Sequence, residues 1–283
     1  MRETGAVPTT ELDGAWTVLD RLAPDGCRVA LLVEPGLSGA LEPLEVEVSV
    51  AAAELPGFPP PSQQSEKVQL LVGRWADWRV AAFCGSFDRA GNQLTFPHAV
   101  MPIRLMARMG AGVLILMVNG LGLDPGWKSG DLVLIDDHIN LTGRNPLMGP
   151  NPDHYGPRFP DMTAAYDGDL AALVETAAMK SRLPLRRGVY GAMPGSIPPT
   201  PAECRMLHRL GANVAGCGLV HEVIVARHIG LPVVAMAALA CEVGSHLCGG
   251  HAHPESKPSL ENAGRSLSLV VDGLLSDLNS AIA

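Results

Sequence analysis

Residues 130–162 read GDLVLIDDHINLTGRNPLMGPNPDHYGPRFPDM, a short apolar run that opens into a long polar stretch. Leu132–Ile135 is continuous in apolar residues after a Gly-Asp turn, the pattern of a strand buried on both faces. Such strands belong to sheets covered by helices on both sides. The stretch from Leu141 to Phe159 is too rich in Pro, Gly and Asn to be a helix or a strand. A structureless loop of that length in a compact fold is functional or covers something.

The rest of the chain supplies what such a sheet needs. Leu12, Trp16, Leu19 and Leu22 recur at helical spacing and predict an amphipathic helix over 11–23. Val29–Val33 predicts a buried strand, and Gly36–Gly39 a turn into a short helix. Val68–Val72 and Trp78–Phe83 predict a hairpin across Arg74–Asp77. A helix is expected over 96–110, then strands at Val113–Val118, Leu132–Ile135, Gly188–Met193 and Pro232–Leu239. Long helices are expected at Met162–Lys180 and Leu260–Ile282, the second with Leu267, Val270, Val271, Leu274, Leu275 and Leu278 facing inward.

Composition narrows the function classes. A formal charge of -8 opposes binding to a nucleic-acid backbone. No run of eighteen apolar residues suggests a membrane span. The first residues lack the basic-then-apolar order of a signal peptide, so a cytoplasmic location is expected. The six cysteines include no CxxC pair and are expected as reduced thiols. His246, Cys248, His251 and His253 are side-chain types that bind zinc, but their order fits no standard spacing. No metal and no cofactor is assigned.

The words DHINL, NPLMGPN and RFPDM, with TPAECRMLHRLGA and VHEVIVARHIGL further on, are similar to those of the trimeric purine nucleoside phosphorylase family. The resemblance runs from Val29 to the end. It implies one nucleoside-phosphorylase domain over 1–283, preceded within it by a helical segment at 1–27. The fold class implied is α/β, with a central mixed sheet twisted toward a barrel and flanked by helices. It also implies a homotrimer, with Leu141–Phe159 at a three-fold interface and Tyr155 reaching a neighbour's pocket.

The resemblance also marks the site, and there the residues differ. Pro35 stands at the position of a phosphate-binding Ser, and Glu34 beside it adds negative charge. Ser86 and Asp88 stand for the Arg and His that hold phosphate, and Gly218 for a second Ser. Asn119 and Gly120 keep the strand end whose backbone contacts phosphate and base in the family. Pro198 and Pro199 replace an aromatic residue and the Glu that grip the purine, and Cys241 replaces its Asn. Replacing a cationic clamp by a carboxylate reverses the sign of the site. Loss of phosphorolysis is therefore expected.

What remains near the pocket is Asp88, Cys217, His221, Cys241 and Glu242, acid–base groups and thiols. Asp88 and Glu242 are candidate proton-transfer groups and Cys241 a candidate nucleophile. A buried Cys is more often an apolar filler. His138 and Asn140 belong to framework words, where a structural role is expected. The expectation is a phosphorylase scaffold recruited to a specialised biosynthetic step on a small molecule. Its alternatives are a pseudoenzyme that binds a ligand or partner, and a nucleoside hydrolase or phosphorylase of altered specificity.

Overall fold

The structure is a computed structural model, and it describes residues 9–58, 68–85, 99–195, 198–242 and 257–282. The described residues hold nine strands and six helices. In chain order these are α1 Thr9–Leu22, β1 Val29–Val33, β2 Glu45–Ala51, β3 Gln69–Trp75, β4 Trp78–Cys84 and α2 Met101–Arg108. Then come β5 Val113–Gly122, β6 Leu132–Asn140, α3 Gly168–Lys180, β7 Leu185–Ala192 and α4 Pro201–Arg209. The chain ends with β8 Val214–Gly216, α5 Val220–His228, β9 Val233–Glu242 and α6 Lys257–Ile282.

The strands form one mixed sheet in the order β2-β3-β4-β1-β5-β8-β7-β6-β9. β9 also pairs with β5, which closes β5, β8, β7, β6 and β9 into a five-strand ring. β4, β1, β5 and β9 run parallel to one another, so their carboxyl ends lie along one rim. Successive side chains of a strand face opposite ways. Ala30 and Leu32 of β1 thus join Leu114, Leu116, Val133 and Val233 in a core with Leu12, Ile103 and Val223 from α1, α2 and α5. Val29, Leu31 and Val33 join Ile115, Leu134 and Met236 in a second core with Val174 and Leu267 from α3 and α6. Both faces are covered, which is why these strands are apolar without alternation.

The hairpin turn is tighter than expected: β3 runs on to Trp75, and Ala76 takes φ 51° in a two-residue turn with Asp77. The helix expected from Met162 begins at Gly168 instead. Asp167 caps it, its carboxylate accepting from the Asp169 and Leu170 N–H groups at 3.0 and 2.9 Å. α2 is likewise shorter than 96–110, with 96–98 outside the described residues. β6 runs past Ile135 through the polar residues to Asn140, held by parallel pairing with β7. All six residues expected on the inner face of α6 are buried.

Residues 141–167 have no helix or strand, as expected of the excursion. Side chains stitch it together in place of a backbone ladder. Asn140 accepts from the Thr142 hydroxyl at 2.6 Å and donates to Arg144 O at 3.0 Å. Asn151 donates to Gly156 O at 2.9 Å and lies 3.1 Å from His228 Nε2. Gly156 presses its backbone onto the last turn of α5, where any Cβ would collide with the His228 carbonyl.

Candidate functional site

The parallel rim brings Glu34, Pro35, Asn119, Gly120, Cys241 and Glu242 of the predicted set to one side of the sheet, where open α/β sheets bind ligands. β1 ends at Val33 and leads into Glu34 and Pro35. β5 carries Asn119 and Gly120, and its Leu121 and Gly122 lie level with Cys241 and Glu242 of β9. Gly120 has no room for a side chain, because Val214 of β8 crosses there.

Glu34 is engaged at this rim. Its Oε2 accepts from the backbone N–H of Asn119 at 3.0 Å. The Asn119 side chain donates in turn to Pro35 O at 3.1 Å, and Asn119 is 1% exposed. A carboxylate of the chain itself thus holds a strand-end N–H of the kind that would greet an anion. Pro35 offers no N–H at all.

Beside the rim, β8 passes through Cys217, Gly218 and Leu219 into α5. Leu219 sits at φ 76° and ψ -53°, and the Val220 N–H donates to Gly218 O at 2.9 Å. That is a γ-turn of the strained hand, and non-Gly residues held so cluster at functional sites. The Gly218 N–H donates to the buried Tyr190 hydroxyl at 3.3 Å. Cys217 is half-buried and lies against Gly195. His221, in the first turn of α5, is 7% exposed, with Nε2 at 3.2 Å from the Thr142 hydroxyl. It therefore ties the excursion to α5. Thr142 and Leu219 carried no signal in the sequence, since each acts through a contact or a dihedral angle that only the fold creates.

Other candidates fall out differently. Cys241 is disulfide-bonded, so the expectation of a reduced thiol, and of a nucleophile there, does not hold at this position. A sulfur in a disulfide is neither a thiolate nor an S–H donor. Cys27, Cys84, Cys204 and Cys217 are not in disulfides. Burial pushes Cys27 up to about 12, with the nearby Arg79 opposing, which makes it inert. Pro198 and Pro199 are half-buried just before α4, and Pro199 O accepts from Cys204 Sγ at 3.8 Å. His138 Nδ1 lies 3.0 Å from the Tyr166 hydroxyl, and Asn140 is engaged as above. Ser86, Asp88, His246, Cys248, His251 and His253 lie outside the described residues. Among the described residues no cluster of three or more His, Cys, Asp or Glu could hold a metal ion. No helix among them is long and apolar enough to cross a membrane.

Tyr155 of the excursion lies against its own chain. The Arg104 guanidinium carbon is 4.9 Å from its ring centroid. Arg104 sits within MPIRLMA, the one charge in an apolar run, and that was the only signal of its burial.

The profile of the phosphorylase superfamily matches residues 35–276. The chain is 35% identical over 217 residues to purine nucleoside phosphorylase 1 of Bacillus subtilis, which covers 77% of this chain and 80% of that one. It is 34% identical over 221 residues to the purine nucleoside phosphorylase of Bos taurus, 76% of each chain. Isoform 2 of the Schistosoma mansoni purine nucleoside phosphorylase, solved with cytosine and ribose-1-phosphate, superposes with a TM-score of 0.87 at 27% identity. The match spans 97% of this chain and 98% of that one. A second schistosomal purine nucleoside phosphorylase, solved with hypoxanthine, gives a TM-score of 0.85 at 26% identity, covering 97% and 99%.

Proposed function

The chain belongs to the purine nucleoside phosphorylase family of the phosphorylase superfamily, and from that premise we propose that its pocket takes a small molecule but no longer performs phosphorolysis. The observation that carries this reading is the 3.0 Å hydrogen bond from the Asn119 N–H to Glu34 Oε2. Phosphate approaching the rim of β1 and β5 meets a carboxylate already on the donor, beside a proline with no N–H. Each charge-assisted contact is worth about 1.5–3 kcal/mol. Pro35, Gly218 and Cys241 stand where the resemblance places contacts to phosphate or purine.

The chemistry left to the pocket is proton transfer on a neutral, rather apolar small molecule. Glu242 at the end of β9 and Asp88 are the groups for it. A step in specialised biosynthesis fits such a set. Binding without turnover is the competing reading, and it draws on the disulfide at Cys241 and the Thr142 contact of His221, which leave fewer reactive groups. The assembly we propose is a homotrimer built on the excursion, in which Met148 and Phe159 are 62% and 84% exposed.

The test is an assay of base release from inosine and guanosine with and without inorganic phosphate. No phosphate-dependent release is expected, and clear phosphorolysis would overturn the reading. Once a ligand is found, Asp88→Asn and Glu242→Gln should each lower turnover about a hundredfold or more. Full activity in both variants rejects the assignment.

A further inference from the structure

Away from the strand rim, α1, α2 and the excursion border an open cavity of about 440 Å³. Its lining includes Asp13, Arg104, Arg108, His154 and Tyr155. Arg104 is 3% exposed, although its neighbours Ile103, Leu105 and Met106 are core residues. Its Nε and Nη1 are buried without a hydrogen-bond partner among the described residues. The Tyr155 ring answers only one face of the guanidinium. The N–H groups point in the plane of that group and need acceptors of their own.

Asp13 lines the same cavity but is paired with Arg108. The two charges cancel, and Arg104 is left as the uncompensated cation. His228, behind it, adds no negative charge. Burial draws the Arg104 pKa down from its ordinary value, with Tyr155 opposing. A guanidinium withdrawn from water needs an anion or a full set of acceptors. The volume suits a small organic ligand.

We propose that this cavity binds a small oxyanion, a carboxylate or a phosphate, on Arg104, with Arg108 and His154 at its mouth. Within one chain the site is separate from the strand rim, and it does not depend on the loss of phosphorolysis.

The experiment is calorimetric titration of the whole protein with malonate and, separately, with inorganic phosphate. Ionic strength is held constant with chloride. A saturable signal is expected from at least one probe, and the stronger of the two identifies the anion class. Arg104→Met keeps the aliphatic stem and should weaken that binding about tenfold or more. Arg104→Lys should retain part of it. Equal binding by wild type and Arg104→Met overturns the proposal. So does binding that appears only as the protein dissociates on dilution, since a carboxylate of a second copy then fills the site in the assembly. Phosphate binding that survives Arg104→Met places phosphate at the strand rim, and counts against this site and the proposed function together. Should Arg104→Met fail to fold, the Tyr155 ring resonances, assigned through Tyr155→Phe, give a second readout in the wild type. They are expected to shift saturably with malonate or phosphate, and unmoved resonances reject the site.

Discussion

At the scale of single residues, His138 sets a pH dependence. Burial lowers its pKa from the ordinary value, with Asp137 partly opposing. His228 is lowered too, first by burial and then by Arg104. The unfolded chain therefore takes up protons first as pH falls. Their contribution to stability is full above about pH 6.5 and is lost as pH drops through that value toward the lowered native ones. Urea midpoints should fall between about pH 7 and about pH 5, and His138→Gln should flatten that slope. An unchanged slope assigns the effect elsewhere. Glu34 gives a second expectation. Glu34→Ala strands the Asn119 N–H at a position 1% exposed, and stability should drop by about 1–3 kcal/mol in urea unfolding. No loss would show that the N–H finds another acceptor. The sequence revealed the negative charge of Glu34, but not its partner, which lies 85 residues away.

Among the elements, α3 shows how local signals compete. Its apolar spacing extends back toward Met162, yet Asp167 ends that reading by capping two N–H groups. Asp167→Ala should cost about 1 kcal/mol, measurable as a lowered unfolding midpoint, and an unchanged midpoint contradicts the cap's role. The buried strands were legible because two apolar faces leave no alternation, as in Val29–Val33 and Val113–Val118. The second half of β6 was not, because its polar residues are held by pairing with β7 and not by burial. The length of the excursion was legible, and its stitching was not, since Asn, Thr and Arg fit any loop. Its seat on α5 depends on Gly156. Gly156→Ala forces a Cβ against the His228 carbonyl, and overpacking of that kind costs about 1–3 kcal/mol. Faster hydrogen exchange across Asn151–Arg158, with the strands unchanged, is the expected result. Unaltered exchange would mean that the excursion is anchored elsewhere.

For the whole molecule, the excursion leads to an expectation about assembly. Phe159 and Met148 present large apolar side chains to solvent on a segment with no backbone ladder of its own. Light scattering should give the mass of three chains, and Phe159→Ser should shift the population toward single chains. A stable monomer in the wild type rejects the trimer. The ring of five strands has a different consequence. Because β9 pairs back onto β5, each of those strands has a neighbour on both sides, and among the described strands only β2 has one on a single side. An open edge can template another chain into fibres. β2 carries Glu45 and Glu47, and Glu47 is held by Arg74 and Arg79 at 3.5 and 2.7 Å. Among the described strands the one open edge is thus lined with charge, and fibre formation should begin there once Glu45 and Glu47 are neutralised.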